Sequence, residues 1–293
     1  MKVIRARVLG FCMGVRRAVD LACREAALQQ ADAAGKVYTL GPLIHNPRVL
    51  ERLKLLGVQI MDESRLPKDL TGVSVIIRAH GVSPQTEALI RGRGGRVVDA
   101  TCPRVKGSQL KAAALAVAGY RIFLAGEKHH AEIAGITGYA GTGFYAVTGS
   151  AAEAEEAAAR LMDEDAAAKT ALIGQTTITV EEYNSIGESL KKFFPDLEIA
   201  QTICPVTEER QEALRELADT VDAVIIAGGK ESANTRRLFA IAGAAGKPCA
   251  LVETVADIPP EFFRFETVGL AAGTSTPDSV IAEIERALES GSC

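Results

Sequence analysis

The chain of 293 residues carries a formal net charge of −4, with 24% charged and 47% hydrophobic residues. That length can bury a substantial core in one large domain or in two to three small ones, and the composition is ordinary for a soluble globular protein. The slightly acidic balance gives no basic footprint for nucleic acid or an anionic membrane, and 5% aromatic residues without tryptophan offer no base-stacking platform.

From the start, "MKVIRARVLG" enters a strand-like pattern without the apolar core and small-residue cleavage site of a signal peptide. No later segment is apolar enough to span a bilayer. The expectation is a cytoplasmic protein whose six cysteines (Cys12, Cys23, Cys102, Cys204, Cys249, Cys293) are reduced rather than paired. In chain order, "KVIRARVL" leads into a predicted helix over 15–31, followed by the strand "KVYTL". The strand "VSVIIRA" precedes a helix over 84–91, and Val97 and Val98 end a buried strand before a helix over 103–118. After the strand "RIFLAG", residues 151–169 read as a helix former with a solvated charged face. The strand "TALIG" precedes helices over 179–193 and 207–219, then "DAVIIAGG" precedes a helix over 232–245. The strands "KPCALV" and "TVGLAAG" and a helix over 277–289 complete the chain. Strands bounded by Gly and Pro with helices between them indicate parallel βαβ units.

One internal echo divides this alternation. "VLGFCMGV", "DATCPRV" and "QTICPVT" each end a strand and open a helix, with Cys12, Cys102 and Cys204 at the junctions. Proline follows twice, where it suits a first helical turn. The echo predicts three α/β units: 13–102, 103–204, and 205–293 together with 1–12.

Ligands of parallel α/β sheets collect beyond the carboxyl ends of the strands. Those ends carry His45 with Asn46, His80 with Gly81, and His129, His130 and Glu132. Further along they carry Gln175, Thr176 and Thr177, then Ser232 and Asn234, then Thr274, Ser275 and Thr276. Any one of these has a plain structural alternative: Ser83, Ser232 and Thr276 are good N-cap candidates, and Glu132 would favour a helix dipole. Together they point to a shared polar pocket. "GGKESANTRRL" is a Gly-rich strand end opening a helix, where free backbone N–H groups suit a phosphate, although it is no Walker loop. His45, His80 and Ser275 would add donors to an anion. Lys230 is a candidate for steering an anion, whereas Arg236 and Arg237 read as a solvated helix face. Cys23 and Cys249 read as core filler.

Three cysteines at three strand ends suit zinc, with His130 as a fourth ligand, or an iron–sulfur cluster. A cubane with three thiolates would keep one iron open as a Lewis acid. Spacing leaves open a zinc lyase or hydrolase, an iron–sulfur reductase and a non-catalytic phosphometabolite-binding protein in which the cysteines only pack.

The motifs "GFCMGV", "LIHNP", "AHGVS", "DATCP", "HAEIAG", "GQTT", "ICPVTEERQ", "SANTRRL" and "AAGTSTPD", in this order, resemble the 4-hydroxy-3-methylbut-2-enyl diphosphate reductase family (IspH, also called LytB). The resemblance implies three pseudo-threefold-related α/β units with mostly parallel sheets around a central iron–sulfur cluster. It implies a [4Fe-4S] cluster held by Cys12, Cys102 and Cys204, with one open iron. The diphosphate would be bound by His45, His80, Ser232, Asn234 and Ser275. His130 and Glu132 would guide protonation, with Thr176 near the substrate hydroxyl, beside Gln175 and Thr177. The implied reaction is reductive dehydroxylation of the allylic diphosphate to isopentenyl and dimethylallyl diphosphate, with electrons from reduced ferredoxin or flavodoxin. Ala131 stands where many members have proline, Ala233 where some have serine, and Glu231 replaces a common asparagine.

Overall fold

A computed structural model describes residues 1–32 and 35–291, with residues 31 and 32 described by their backbone alone. In chain order it contains β1 (Lys2–Arg5), α1 (Met13–Asp32), β2 (Lys36–Leu40), α2 (Pro47–Leu55), β3 (Val58–Met61), β4 (Val73–Ile77), α3 (Pro84–Gly92) and β5 (Arg96–Asp99). Then follow α4 (Pro103–Val117), β6 (Arg121–Ala125), α5 (Ala131–Ala140), β7 (Phe144–Thr148), α6 (Ala151–Glu164), β8 (Thr170–Gly174) and α7 (Val180–Lys191). The last elements are β9 (Glu198–Ile199), α8 (Pro205–Ala218), β10 (Ala223–Ala227), α9 (Ala233–Ala244), β11 (Cys249–Val252), β12 (Thr267–Ala272) and α10 (Asp278–Ser290).

The strands form three four-stranded sheets, ordered β1-β12-β10-β11, β3-β2-β4-β5 and β7-β6-β8-β9, with every pairing parallel. The last two sheets share one order: the second strand lies outside the first, then come the third and the fourth. The first sheet repeats that order when β10 is taken as its first strand and β1, from the other end of the chain, as its fourth. Central strands are covered on both faces and therefore read as unbroken apolar runs. Both β8 and β10 are buried at every residue. One face of the β10 sheet packs Ile225, Leu270 and Ile284, and the other packs Val224, Ile226 and Leu214. Deleting one such side chain costs about 2–5 kcal/mol.

By density of internal contacts the chain divides into two compact units. The smaller comprises Met1–Arg16, Ile44–Leu55 and Pro205–Cys293, and holds the β1-β12-β10-β11 sheet; Cys293 is outside the described residues. The larger comprises Arg17–Leu43 and Leu56–Cys204, and holds the other two sheets.

The strand–helix alternation read from the sequence is present. Strands β3, β7 and β9 are additional, and all lie at sheet edges; β3 is broken by the exposed Gln59 and β9 has only two residues, so neither shows an apolar run. Helices α2 and α5 are additional too; in α5, Gly135 and Gly138 depress the helix propensity. The 151–169 helix ends at Glu164. Thr276 does not cap α10: Pro277 holds that position, and the Thr276 hydroxyl donates to the Ala227 carbonyl at 2.9 Å. Ser83 and Ser232 do cap α3 and α9. Among the described residues, no helix is long and apolar enough to cross a membrane.

Candidate functional site

Each of Cys12, Cys102 and Cys204 sits immediately ahead of a helix, α1, α4 and α8 respectively, with Pro103 and Pro205 opening the latter two. All three are half-buried, as are Cys23 and Cys249. The Cys12 Sγ accepts the Val15 N–H at 3.4 Å.

The main chain repeats a further feature at all three junctions. The Cys12 N–H donates to the Thr274 carbonyl at 3.2 Å, the Cys102 N–H to Ala79 at 3.0 Å, and the Cys204 N–H to Thr176 at 2.9 Å. The accepting loops follow β12, β4 and β8, the third strand of each sheet. Each accepting residue is, or directly precedes, one of the polar residues singled out in the sequence: Ser275, His80 and Thr176. Three soft sulfur donors, each at a helix start and each with its backbone anchored, fit an iron–sulfur cluster or zinc by donor chemistry.

Within the smaller unit, the anion-type residues cluster around the α9 start. Ser232 accepts the Thr235 N–H at 3.4 Å, so its hydroxyl proton remains available. Asn234 is 3% exposed, yet neither its Oδ1 nor its Nδ2 has a hydrogen-bond partner. A buried amide with no partner costs about 1–3 kcal/mol, which an incoming polar ligand would recover. Ser275 donates to the His45 carbonyl at 3.2 Å. Gly229 has to be glycine, because a Cβ there would lie 2.3 Å from that same carbonyl oxygen. Lys230 lies 3.9 Å from Asp257, and Arg236 donates to the Glu231 carbonyl at 2.9 Å, as a solvated face would.

In the larger unit, Glu132 is 2% exposed in the first turn of α5. Its carboxylate accepts the Thr176 N–H at 2.6 Å and the Thr176 hydroxyl at 2.9 Å. His130 caps the same helix, its Nδ1 accepting the Glu132 N–H at 3.2 Å. The His130 and His80 rings meet edge to face, 5.3 Å between centroids. His129 is exposed. Gln175 accepts the Glu127 N–H at 2.9 Å through Oε1 and donates to Thr177 at 3.0 Å. The sequence reading overlooked Gln109 of α4, wholly buried with neither amide atom hydrogen-bonded. Gly81, at φ +72°, leaves room for it: a Cβ there would lie 2.2 Å from the Gln109 Nε2. A glutamine inside a helical stretch gives no sequence signal of burial.

Fold and site residues together define an α/β protein of three parallel sheets with thiols, imidazoles and a buried acid among the residues that follow its strands. The family model for LytB protein matches residues 3–289. A Treponema denticola 4-hydroxy-3-methylbut-2-enyl diphosphate reductase is 43% identical, covering 99% of this chain and 100% of the relative. The Aquifex aeolicus protein of that name is 38% identical over 98% and 96%. The structure of the Plasmodium falciparum E-1-hydroxy-2-methyl-but-2-enyl-4-diphosphate reductase superposes with a TM-score of 0.88 at 25% identity, covering 97% of this chain and 87% of that one. A second solved reductase, described as the terminal enzyme of the non-mevalonate pathway, has a TM-score of 0.69 at 36% identity, covering 99% and 100%. The chain belongs to the LytB family, the 4-hydroxy-3-methylbut-2-enyl diphosphate reductases, iron–sulfur oxidoreductases of the terminal step of the non-mevalonate isoprenoid pathway.

Proposed function

We propose that the reductase activity of this chain is carried by a [4Fe-4S] cluster held through Cys12, Cys102 and Cys204 with one iron left open. The observation that supports it most directly is the repeated junction: three cysteines ahead of three helices, each with its N–H anchored to the loop of a polar residue. When bound, the cluster would relay the two electrons of an external donor, one at a time, and offer a Lewis-acidic iron.

The protein's own residues do the rest. His45, His80, Ser232, Asn234 and Ser275 bind the diphosphate of 4-hydroxy-3-methylbut-2-enyl diphosphate and so fix the position of its allylic hydroxyl. Gln175 and Thr177, bonded to each other, line the approach to that hydroxyl. Once protonated, Glu132 passes its proton to the Thr176 hydroxyl, which turns from donating to it to accepting from it and donates its own proton onward, so that the substrate's hydroxyl leaves as water; His130 orients the carboxyl by capping its helix. One further proton on either of two carbons gives isopentenyl or dimethylallyl diphosphate. The balance is two electrons and two protons in, one water out. Reduced ferredoxin or flavodoxin would deliver the electrons, in the cytoplasm, where thiols stay reduced. The repeated strand order supports a three-unit description, 13–102, 103–204 and 205–293 with 1–12.

The test is anaerobic turnover of 4-hydroxy-3-methylbut-2-enyl diphosphate by cluster-loaded protein with a reduced low-potential donor. Both isoprenoid diphosphates are the expected products. No product from brown, iron-loaded protein would sink the assignment, and a colourless zinc-containing preparation would favour a zinc lyase or hydrolase.

A further inference from the structure

We propose that Arg17 and Arg210 are positioning residues that pre-set the loops of Cys102 and Cys12, and that the Thr202 hydroxyl fastens the loop ahead of Cys204. The inference rests on the reading of these cysteines as cluster ligands.

Arg210 lies in the second turn of α8, the helix that follows Cys204, and is only 3% exposed. Its Nη2 donates to the Gly10 carbonyl at 2.7 Å, and its Nη1 to the Ala272 carbonyl at 3.2 Å. Gly10 stands two residues ahead of Cys12. Ala272 ends β12, just ahead of Thr274, whose carbonyl accepts the Cys12 N–H, and of Ser275. One guanidinium therefore ties a thiol loop to a diphosphate loop within the smaller unit. Burying a guanidinium is costly unless its donors are used, and a leucine would fill the space without that cost. What arginine adds is a rigid fork that reaches two carbonyl oxygens at once, which a lysine ammonium cannot match.

Arg17 repeats the arrangement in the larger unit. It lies in the second turn of α1, the helix that follows Cys12. Its Nη1 donates to the Thr101 carbonyl at 3.0 Å and its Nη2 to the Asp99 carbonyl at 3.1 Å. Asp99 ends β5 and Thr101 directly precedes Cys102, so the two oxygens bracket the short link into that thiol. In each case the helix after one thiol carries an arginine that grips the chain ahead of another. The link into Cys204 uses a different fastener: the Thr202 hydroxyl donates to the Gly174 carbonyl at 3.0 Å and accepts the Gly174 N–H at 2.8 Å. The two arginines also differ. Both carbonyls of Arg17 precede a single thiol, whereas those of Arg210 lie on two loops, so only Arg210 couples thiolate placement to diphosphate binding.

The test uses full-length protein, metal-free and then cluster-loaded, with Arg17→Gln and Arg210→Lys. In metal-free protein, alkylation by iodoacetamide is followed at each cysteine by peptide mass. Arg17→Gln is expected to speed alkylation at Cys102 several-fold and leave Cys12 and Cys204 unchanged. Arg210→Lys is expected to speed Cys12 alone and to weaken binding of inorganic diphosphate about tenfold. In loaded protein, each variant should release iron to a chelator about tenfold faster, the size of effect expected when a residue supporting a ligand is lost. Should Arg210→Lys not fold, the exposed Arg17 still carries the test. Unchanged rates at Cys102, or a uniform rise at all three cysteines with a lower Tm, overturns the inference in favour of a purely structural role. A Cys102→Ser control separates the two readings: full iron retention there defeats the ligand assignment, while the alkylation pattern of metal-free protein is judged independently of it.

Discussion

Two buried polar side chains at strand ends are set up in opposite ways. Glu132 has both carboxylate oxygens engaged by Thr176, one by its amide and one by its hydroxyl. Asn234 is as deeply buried, but neither end of its amide is bonded. A group that already has its partners is fixed in place before substrate arrives, which is what proton delivery along one defined path needs. A group without partners carries a standing desolvation cost that a ligand removes, which is what binding needs. On the proposed assignment, the acid is set in place in advance and the anion site is left for the diphosphate to complete.

The sharpest way to break this contrast is Glu132→Gln. The amide keeps the shape and can still accept from Thr176, but it has no proton to give. Turnover should fall by about 10²–10⁴-fold, the range for loss of a general acid, while diphosphate binding measured by calorimetry stays near normal. Near-normal turnover would end the proton-donor role. Thr176→Val comes next, because it deletes the hydroxyl and keeps the N–H to Glu132. A decrease of about 10- to 100-fold in kcat with KM little changed is expected if the hydroxyl relays the proton. An effect on KM alone would make Thr176 a substrate contact only.

Asn234→Ala inverts the pattern. No internal hydrogen bond is lost, so Tm should stay within a degree or two or rise slightly, in contrast to an ordinary buried polar deletion. Inorganic diphosphate should bind about tenfold more weakly, equivalent to ~1.4 kcal/mol, with kcat at saturation largely kept. A large loss of stability with unchanged diphosphate affinity would show that the amide serves the fold.

Much of this was legible in the sequence, for identifiable reasons. Central strands such as "TALIG" and "AVIIA" are buried on both faces and announce themselves as apolar runs. Edge strands differ among themselves: β1, β5 and β11 carry apolar residues that were read, whereas β3 is broken by the exposed Gln59 and β9 is two residues long. The thiol junctions were visible because a cysteine between a strand and a helix start repeats three times. His129 and His130 could not be told apart by position; folding leaves the first exposed and sets the second against His80. Arg17, Gln109 and Arg210 were invisible as site-supporting residues. A long polar side chain in a helix reads as solvent-facing, and only tertiary placement shows what its donors reach.

Ser275 supplies the smallest and most discriminating step. Unlike Asn234, its hydroxyl is already committed, donating to the His45 carbonyl at 3.2 Å. To donate to a diphosphate oxygen it must give up that bond, so the exchange is nearly balanced and the net gain is only part of one hydrogen bond, about 0.5–1 kcal/mol. Ser275→Ala should therefore weaken inorganic diphosphate only about two- to fivefold. It should also cost a little stability, because the His45 carbonyl loses a donor where Asn234→Ala loses none. If Ser275→Ala instead weakened diphosphate as much as Asn234→Ala, prior hydrogen bonding would not be what ranks the groups at this site. The contrast between committed and uncommitted side chains would then fail as an account of how the anion is held.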